Sequence, residues 1–219
     1  MRLTEVKLLA KQLVLLALIA VPGFGTPVFY STNGTTTPTF TAGNNWTASS
    51  VIAGSVVSVE MQFVSGMTGT VASIVAPLSG NVSGETFVLR TDLSGSAGTI
   101  IDTFTFSGIT GAIQLLSAAS TNNAALTSGT TYWLEALAPT PGVTTQSVNW
   151  YYSATPTVTG NVEVENPVPT VLPAQTISAF AVLGADVPEP STLGTAAWAV
   201  ALIVLLYRRQ LTQFVRRGD

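Results

Sequence analysis

An all-β fold, a single antiparallel β-sandwich of jelly-roll type, is predicted by three features of this chain. Short β-branched and aromatic runs recur between clusters of Gly, Asn, Ser and Pro. The clearest of these runs alternate strictly between apolar and polar residues, which implies one packed and one wet face. Between the two ends, no segment keeps a helical period over the roughly ten residues that a helix wants. No internal repeat is visible, which argues against a β-helix or a propeller.

The body of the chain, residues 26–185, reads as strands in succession. In SVVSVEMQFVS, Val57, Val59, Met61 and Phe63 fall on one face and Ser58, Glu60 and Gln62 on the other. GETFVLRTD and GTIIDTFTF form the next pair, joined by LSGSAG, whose glycines permit the positive φ angles of a tight connection. Phe87 and Leu89 share a side, as do Phe104 and Phe106. TSGTTYWLEALA and QSVNWYYSA supply two aromatic strands, and ISAFAVLG the last. PTVTGNVEVENPVPTVLPA carries Pro156, Pro167, Pro169 and Pro173, so it is either an extended surface loop or an edge hairpin.

The two ends have a different character. Residues 1–25 place Arg2, Lys7 and Lys11 ahead of an apolar stretch and then the small residues Gly23 and Gly25, the order of parts in a secretory signal peptide. At the other end, residues 193–207 are apolar or small apart from Thr195, and Arg208, Arg209, Arg216 and Arg217 follow as stop-transfer charges. At about 1.5 Å per residue that run covers only ~22 Å of a hydrocarbon core roughly 30 Å thick. Starting the transmembrane helix at residue 191, or thinning the bilayer locally, brings it into range. Such a segment can stop transfer but is a poor permanent anchor.

Val187, Pro188, Glu189 and Pro190, then Ser191 and Thr192, the apolar segment to 207 and the basic tail 208–219 resemble the PEP-CTERM sorting signal. The resemblance implies recognition by a membrane-embedded transpeptidase-like enzyme, exosortase, with cleavage near the Pro-Glu-Pro. It further implies delivery of the body to the surface or extracellular matrix of a Gram-negative, exopolysaccharide-making bacterium. The tail departs from the family pattern by running on past the first arginine pair through QLTQFV. The prolines lock φ and remove two donors, keeping the motif extended outside the membrane, while Glu189 is otherwise a solvated turn carboxylate. TFVLRTDLSGSAGTIIDTF, LTSGTTYWLEALA and the strand bearing Trp150 resemble choice-of-anchor domains, which implies a β-sandwich body without an assigned activity.

The body's ionisable groups narrow its chemistry. Arg90 is its one base, against Glu60, Glu85, Asp92, Asp102, Glu135, Glu163 and Glu165. One cation against seven acids cannot hold a phosphate backbone, which excludes nucleic acid. The whole chain has no His and no Cys, and its lysines lie in the leader. Triads, thiol nucleophiles, Schiff-base lysines and His- or Cys-based zinc sites are thereby ruled out of the body. Carboxylate chemistry of the glycosidase kind remains conceivable on Glu60, Glu85, Asp102 and Glu135, but alternation predicts that these side chains face solvent, and no catalytic residue is assigned.

No metal or cofactor is expected either. Asp92, Asp102, Ser94, Ser96, Glu163 and Glu165 offer oxygens without the spacing of a calcium loop. Glu163 and Glu165 alternate along an expected edge strand, where outward charges discourage pairing with another chain. Trp133 and Trp150 are expected in the core, and Tyr151, on the opposite face from Trp150 and Tyr152, is the candidate glycan contact. The sequons at Asn33, Asn45 and Asn81 are what a Ser- and Thr-rich chain produces by chance.

The functional expectation is an exported, non-catalytic surface or matrix protein with a structural or adhesive role in an exopolysaccharide layer. Its partners would be an exosortase, the membrane in transit and the polysaccharide. The alternatives are a permanently anchored carbohydrate-binding module and a carboxylate hydrolase.

Overall fold

The structure is a computed structural model, and it describes residues 24–52, 55–82, 84–137, 147–155, 158–166, 168–185 and 187–188. In chain order the strands are β1 (Phe24–Gly25), β2 (Val28–Ser31), β3 (Phe40–Ile52), β4 (Ser55–Val64), β5 (Gly69–Gly80), β6 (Gly84–Leu93), β7 (Ser96–Ser107) and β8 (Gln114–Ala119). They continue as β9 (Ala125–Leu126), β10 (Thr131–Ala136), β11 (Ser147–Ser153), β12 (Thr159–Asn166), β13 (Val168–Thr176), β14 (Ala181–Gly184) and β15 (Val187–Pro188). The described residues are all-β and every strand pairing among them is antiparallel. None of them forms a helix long and apolar enough to cross a membrane.

The chain divides into two compact units, Thr26–Ala185 and a second made of Met1–Gly25 with Asp186–Asp219. In the second unit β1 pairs with β15, placing Phe24 opposite Pro188 and Gly25 opposite Val187. The basic and apolar parts of the leader, Glu189, Pro190, the apolar run 191–207 and Arg208, Arg209, Arg216 and Arg217 lie outside the described residues.

In Thr26–Ala185 the strand order is β2-β14-β5-β11-β3-β4-β10-β6-β7, with β8 and β9 on β5, and β12 on β4 carrying β13. β7 returns to β8 through a bridge between Phe104 and Ser120, so the strands from β5 to β8 close on themselves. The residues that meet inside come from strands that are not neighbours. Trp150 on β11 packs edge-on against Phe87 on β6, with ring centroids 4.9 Å apart at 74°, and lies 5.5 Å from Phe180. Phe63 and Tyr30 extend the cluster through Phe180. Two layers of strands therefore share one aromatic core, the arrangement of a sandwich. Such ring pairs prefer tilted or edge-on contact because their faces and edges carry opposite partial charge.

Local chemistry explains the joints. Ser94 and Gly95, with φ of 54° and 91°, form the two-residue turn between β6 and β7, and two positive φ angles match the twist of a hairpin. Pro77, a poor residue for a central strand, falls where β5 changes partner: β14 pairs up to Val75 and β11 begins at Leu78. The proline-bearing segment forms the hairpin β12–β13, with β13 at the edge. Ala174, at φ 54°, marks a bulge there, since Gly160 pairs with Gln175 while Val162 pairs with Leu172.

Candidate functional site

Val59, Met61, Phe63, Leu89 and Leu134 point into the core, which sends Glu60, Gln62, Arg90, Trp133 and Glu135 to the opposite face. Register then aligns three acids across adjacent strands: Glu163 on β12 stands opposite Glu60 on β4, which stands opposite Glu135 on β10. In the neighbouring row Trp133 lies between Gln62 and Arg90.

This face is not wet. Glu60, Glu135 and Glu163 are 4%, 1% and 4% exposed, which corrects the expectation that alternation leaves the strand carboxylates in solvent. The reason is that the β6–β7 hairpin tip folds back over them. The Ala97 amide donates to Glu163 Oε2 at 2.8 Å, and Arg90 Nη1 donates to the Gly98 carbonyl at 2.9 Å. Gly98 must be glycine, because a Cβ there would lie 2.7 Å from Thr91 Oγ1. Glu163 is corrected in a second respect: β12 is flanked by β4 and β13, so it is an interior strand and not an edge.

Polar neighbours satisfy much of the covered face. Asp92 Oδ1 accepts from the Trp133 indole at 2.8 Å and from Gln62 Nε2 at 3.3 Å, while Asn161, set by the bulge, donates to Gln62 Oε1 at 2.9 Å. Trp133 is thus fully buried as expected, but on the polar face rather than in the phenylalanine core. Arg90 Nε donates to Glu135 Oε2 at 2.6 Å. Glu60 has no such help. Its Oε2 is buried without a hydrogen-bond partner, and its pKa is pushed up to about 8, first by burial and then by Glu135 and Glu163, against a downward pull from Arg90.

One oxygen each from Glu60, Glu135 and Glu165 lie within 4.8 Å of one another. Glu165 is exposed at the rim, where its Oε2 accepts from Ser58 Oγ at 3.4 Å. The sequence groups Glu60 and Glu135 with Glu85 and Asp102, and Glu165 with Glu163, but does not bring Glu165 to the other two. The signal was present in the shared parity of Glu60, Glu135, Glu163 and Glu165, but the register joining their strands is not written locally.

Asp102 and Glu85 are also buried, at 0% and 8% exposure, so neither faces solvent as expected. Asp102 shares parity with Phe104 and Phe106 and points inward. It accepts from Ser120 Oγ at 2.6 Å and from the amides of Thr103, Thr121, Asn122 and Ala124. Burial alone would raise its pKa, but the hydrogen bonds from Ser120, Ala124, Asn122 and Thr103 outweigh it and hold the carboxyl below the usual range.

Tyr151, the expected glycan contact, is 7% exposed, with Phe40 at 6.1 Å and its hydroxyl bonded to Ser79 Oγ at 2.8 Å. Its ring is covered and offers no platform. Tyr152 and Trp46 are half-buried and form a tilted pair with centroids 6.0 Å apart.

No family model matches the chain, and no curated protein does. Among solved structures, a β-1,3-glucan binding CBM6 from Bacillus halodurans is similar at 16% identity and a TM-score of 0.33, over 59% of this chain and 84% of that one. CsCBM6-3 from Clostridium stercorarium in complex with cellobiose is similar at 16% identity and a TM-score of 0.30, over 60% of this chain and 95% of that one. A likeness this slight does not reach function.

Proposed function

We propose that this chain is an exported, non-catalytic surface or matrix protein, a jelly-roll-like body delivered through a sorting tail that an exosortase-type enzyme removes. The observation that carries the reading is the order of parts at the C-terminus: Val187, Pro188, Glu189 and Pro190, an apolar run to 207, then Arg208 and Arg209. The apolar run is too short for a lasting anchor yet sufficient to halt transfer. Burial of Glu60 and Glu135 under the β6–β7 tip supports the non-catalytic part, because a sugar cannot reach carboxylates that are 4% and 1% exposed. The intact mass of the mature protein tests it in a host with an exosortase and in the same host lacking it. Loss of the leader is expected in both hosts, and loss of the chain beyond 187–190 only where the enzyme is present. A tail retained with its arginines in both hosts would overturn the reading.

A second reading, polysaccharide binding by the body, is favoured by Tyr152, which is only half-buried beside Trp46, since a partly exposed aromatic side chain combines an apolar ring with a polar tip that suits a sugar. Tyr152→Ala should then lower retention on the host's exopolysaccharide by about tenfold, the equivalent of ~1.4 kcal/mol, while Tyr151→Phe leaves it unchanged. Equal retention by Tyr152→Ala and the parent would remove this reading.

A further inference from the structure

We propose that Glu60, Glu135 and Glu165 form a binding site for a hard divalent cation of the calcium type, one that staples β4, β10 and β12 together. Three strands contribute one acid each, and one oxygen from each lies within 4.8 Å of the other two. Proximity of carboxylates alone would mean little; the second observation is the state of Glu60. Its side chain, which brings one carboxylate oxygen into the trio, is 4% exposed, and its Oε2 is buried with no hydrogen-bond partner. A buried acceptor left without a donor is costly unless something positive meets it.

The protein cannot supply that charge itself. Arg90 is the sole base in residues 26–185, and it is already committed to Glu135 and the Gly98 carbonyl. What remains is a proton, in the metal-free fold, or a metal cation from solution that displaces it.

The donor set selects the class of ion. All of the ligands are oxygens, with no nitrogen or sulfur, which suits calcium or magnesium rather than zinc or copper. Three carboxylates offer as many as six oxygens, and Ser58 Oγ lies beside Glu165. Calcium, with its larger and more flexible shell, fits such a strand-borne arrangement better than the strict octahedron of magnesium. Access is asymmetric: Glu60 and Glu135 form a buried floor and Glu165 stands exposed at the rim, so an ion enters past Glu165 and completes its shell with water there.

The test uses the full chain in detergent, stripped with a chelator and titrated with calcium chloride, with magnesium chloride in parallel. Calcium is expected to raise the melting temperature and to bind by calorimetry at about one ion per chain. Glu165→Gln, a change at an exposed position, should weaken calcium binding by about tenfold or more. Glu60→Gln should abolish binding yet raise the stability of the stripped protein, which a merely structural carboxylate would not do. No calcium binding up to millimolar concentration would overturn the proposal. So would an affinity unaltered by Glu165→Gln, or an equal response to magnesium that the substitution leaves intact, since that is charge screening.

Discussion

Glu60 and Glu135 stand directly opposite each other on β4 and β10, both buried, yet of the two only Glu135 accepts a hydrogen bond from Arg90. Like charges in that position oppose sheet pairing. The pKa of Glu60 is pushed up to about 8, first by burial and then by its acidic neighbours, so it is protonated in the metal-free fold at neutral pH.

Glu60 therefore costs the metal-free fold stability over a defined pH window. Its folded pKa lies above its unfolded one, so the native state holds the extra proton, and stability falls as pH rises from about 4.5 to about 8. Glu60→Gln removes that slope. In chelator, its melting temperature should exceed the parent's by roughly 5 °C at pH 8.5 and by little at pH 4.5. A gain of the same size at both pH values would contradict the assignment.

Arg90→Met is expected to be strongly destabilising, because it leaves Glu135, 1% exposed, as a buried carboxylate without its guanidinium. The loss should be about 3 kcal/mol by urea denaturation, within the range for breaking a buried pair. Adding Glu135→Gln should recover most of it. A single-variant loss below ~1 kcal/mol, typical of a surface pair, would show that the bridge is not enclosed.

Asp102 should make the fold acid-labile. Its folded pKa is lowered, so the stability it contributes is present above its unfolded value and is lost as pH falls through the folded one. Asp102→Ala orphans Ser120 Oγ and the amides of Thr103, Thr121, Asn122 and Ala124, at a cost of about 3 kcal/mol or more at pH 7. Tryptophan fluorescence followed from pH 7 to pH 2 should show a shallower acid transition in the variant. An unchanged transition would place the acid sensitivity elsewhere.

Much of the fold was legible. The alternation of SVVSVEMQFVS, the glycine-bearing turn before GTIIDTFTF, and the parity of Phe87 with Leu89 all appear in the structure as read, and Trp150 sits in the core. The central strand β5 was harder to see, because Pro77 interrupts its pattern and only a change of partner at that point accommodates it. The candidate site was the least legible part. Glu60 and Glu135 were correctly assigned to the face away from the core, but not to a covered one, and Tyr151 was expected in the open where Ser79 and Phe40 enclose it.

What the sequence alone determined is whatever depends on near neighbours: which residues share a side of a strand, where the chain turns, that the body has one base and no His or Cys, and the order of parts in the tail. Tertiary structure alone decided which strands adjoin and which polar face is covered. A strand's period assigns a side chain to one of two faces, but whether that face meets water depends on segments far away in the chain. Here Ala97 reaching Glu163 across 66 positions helps turn a row of acids expected in solvent, Glu163, Glu60 and Glu135, into a buried one.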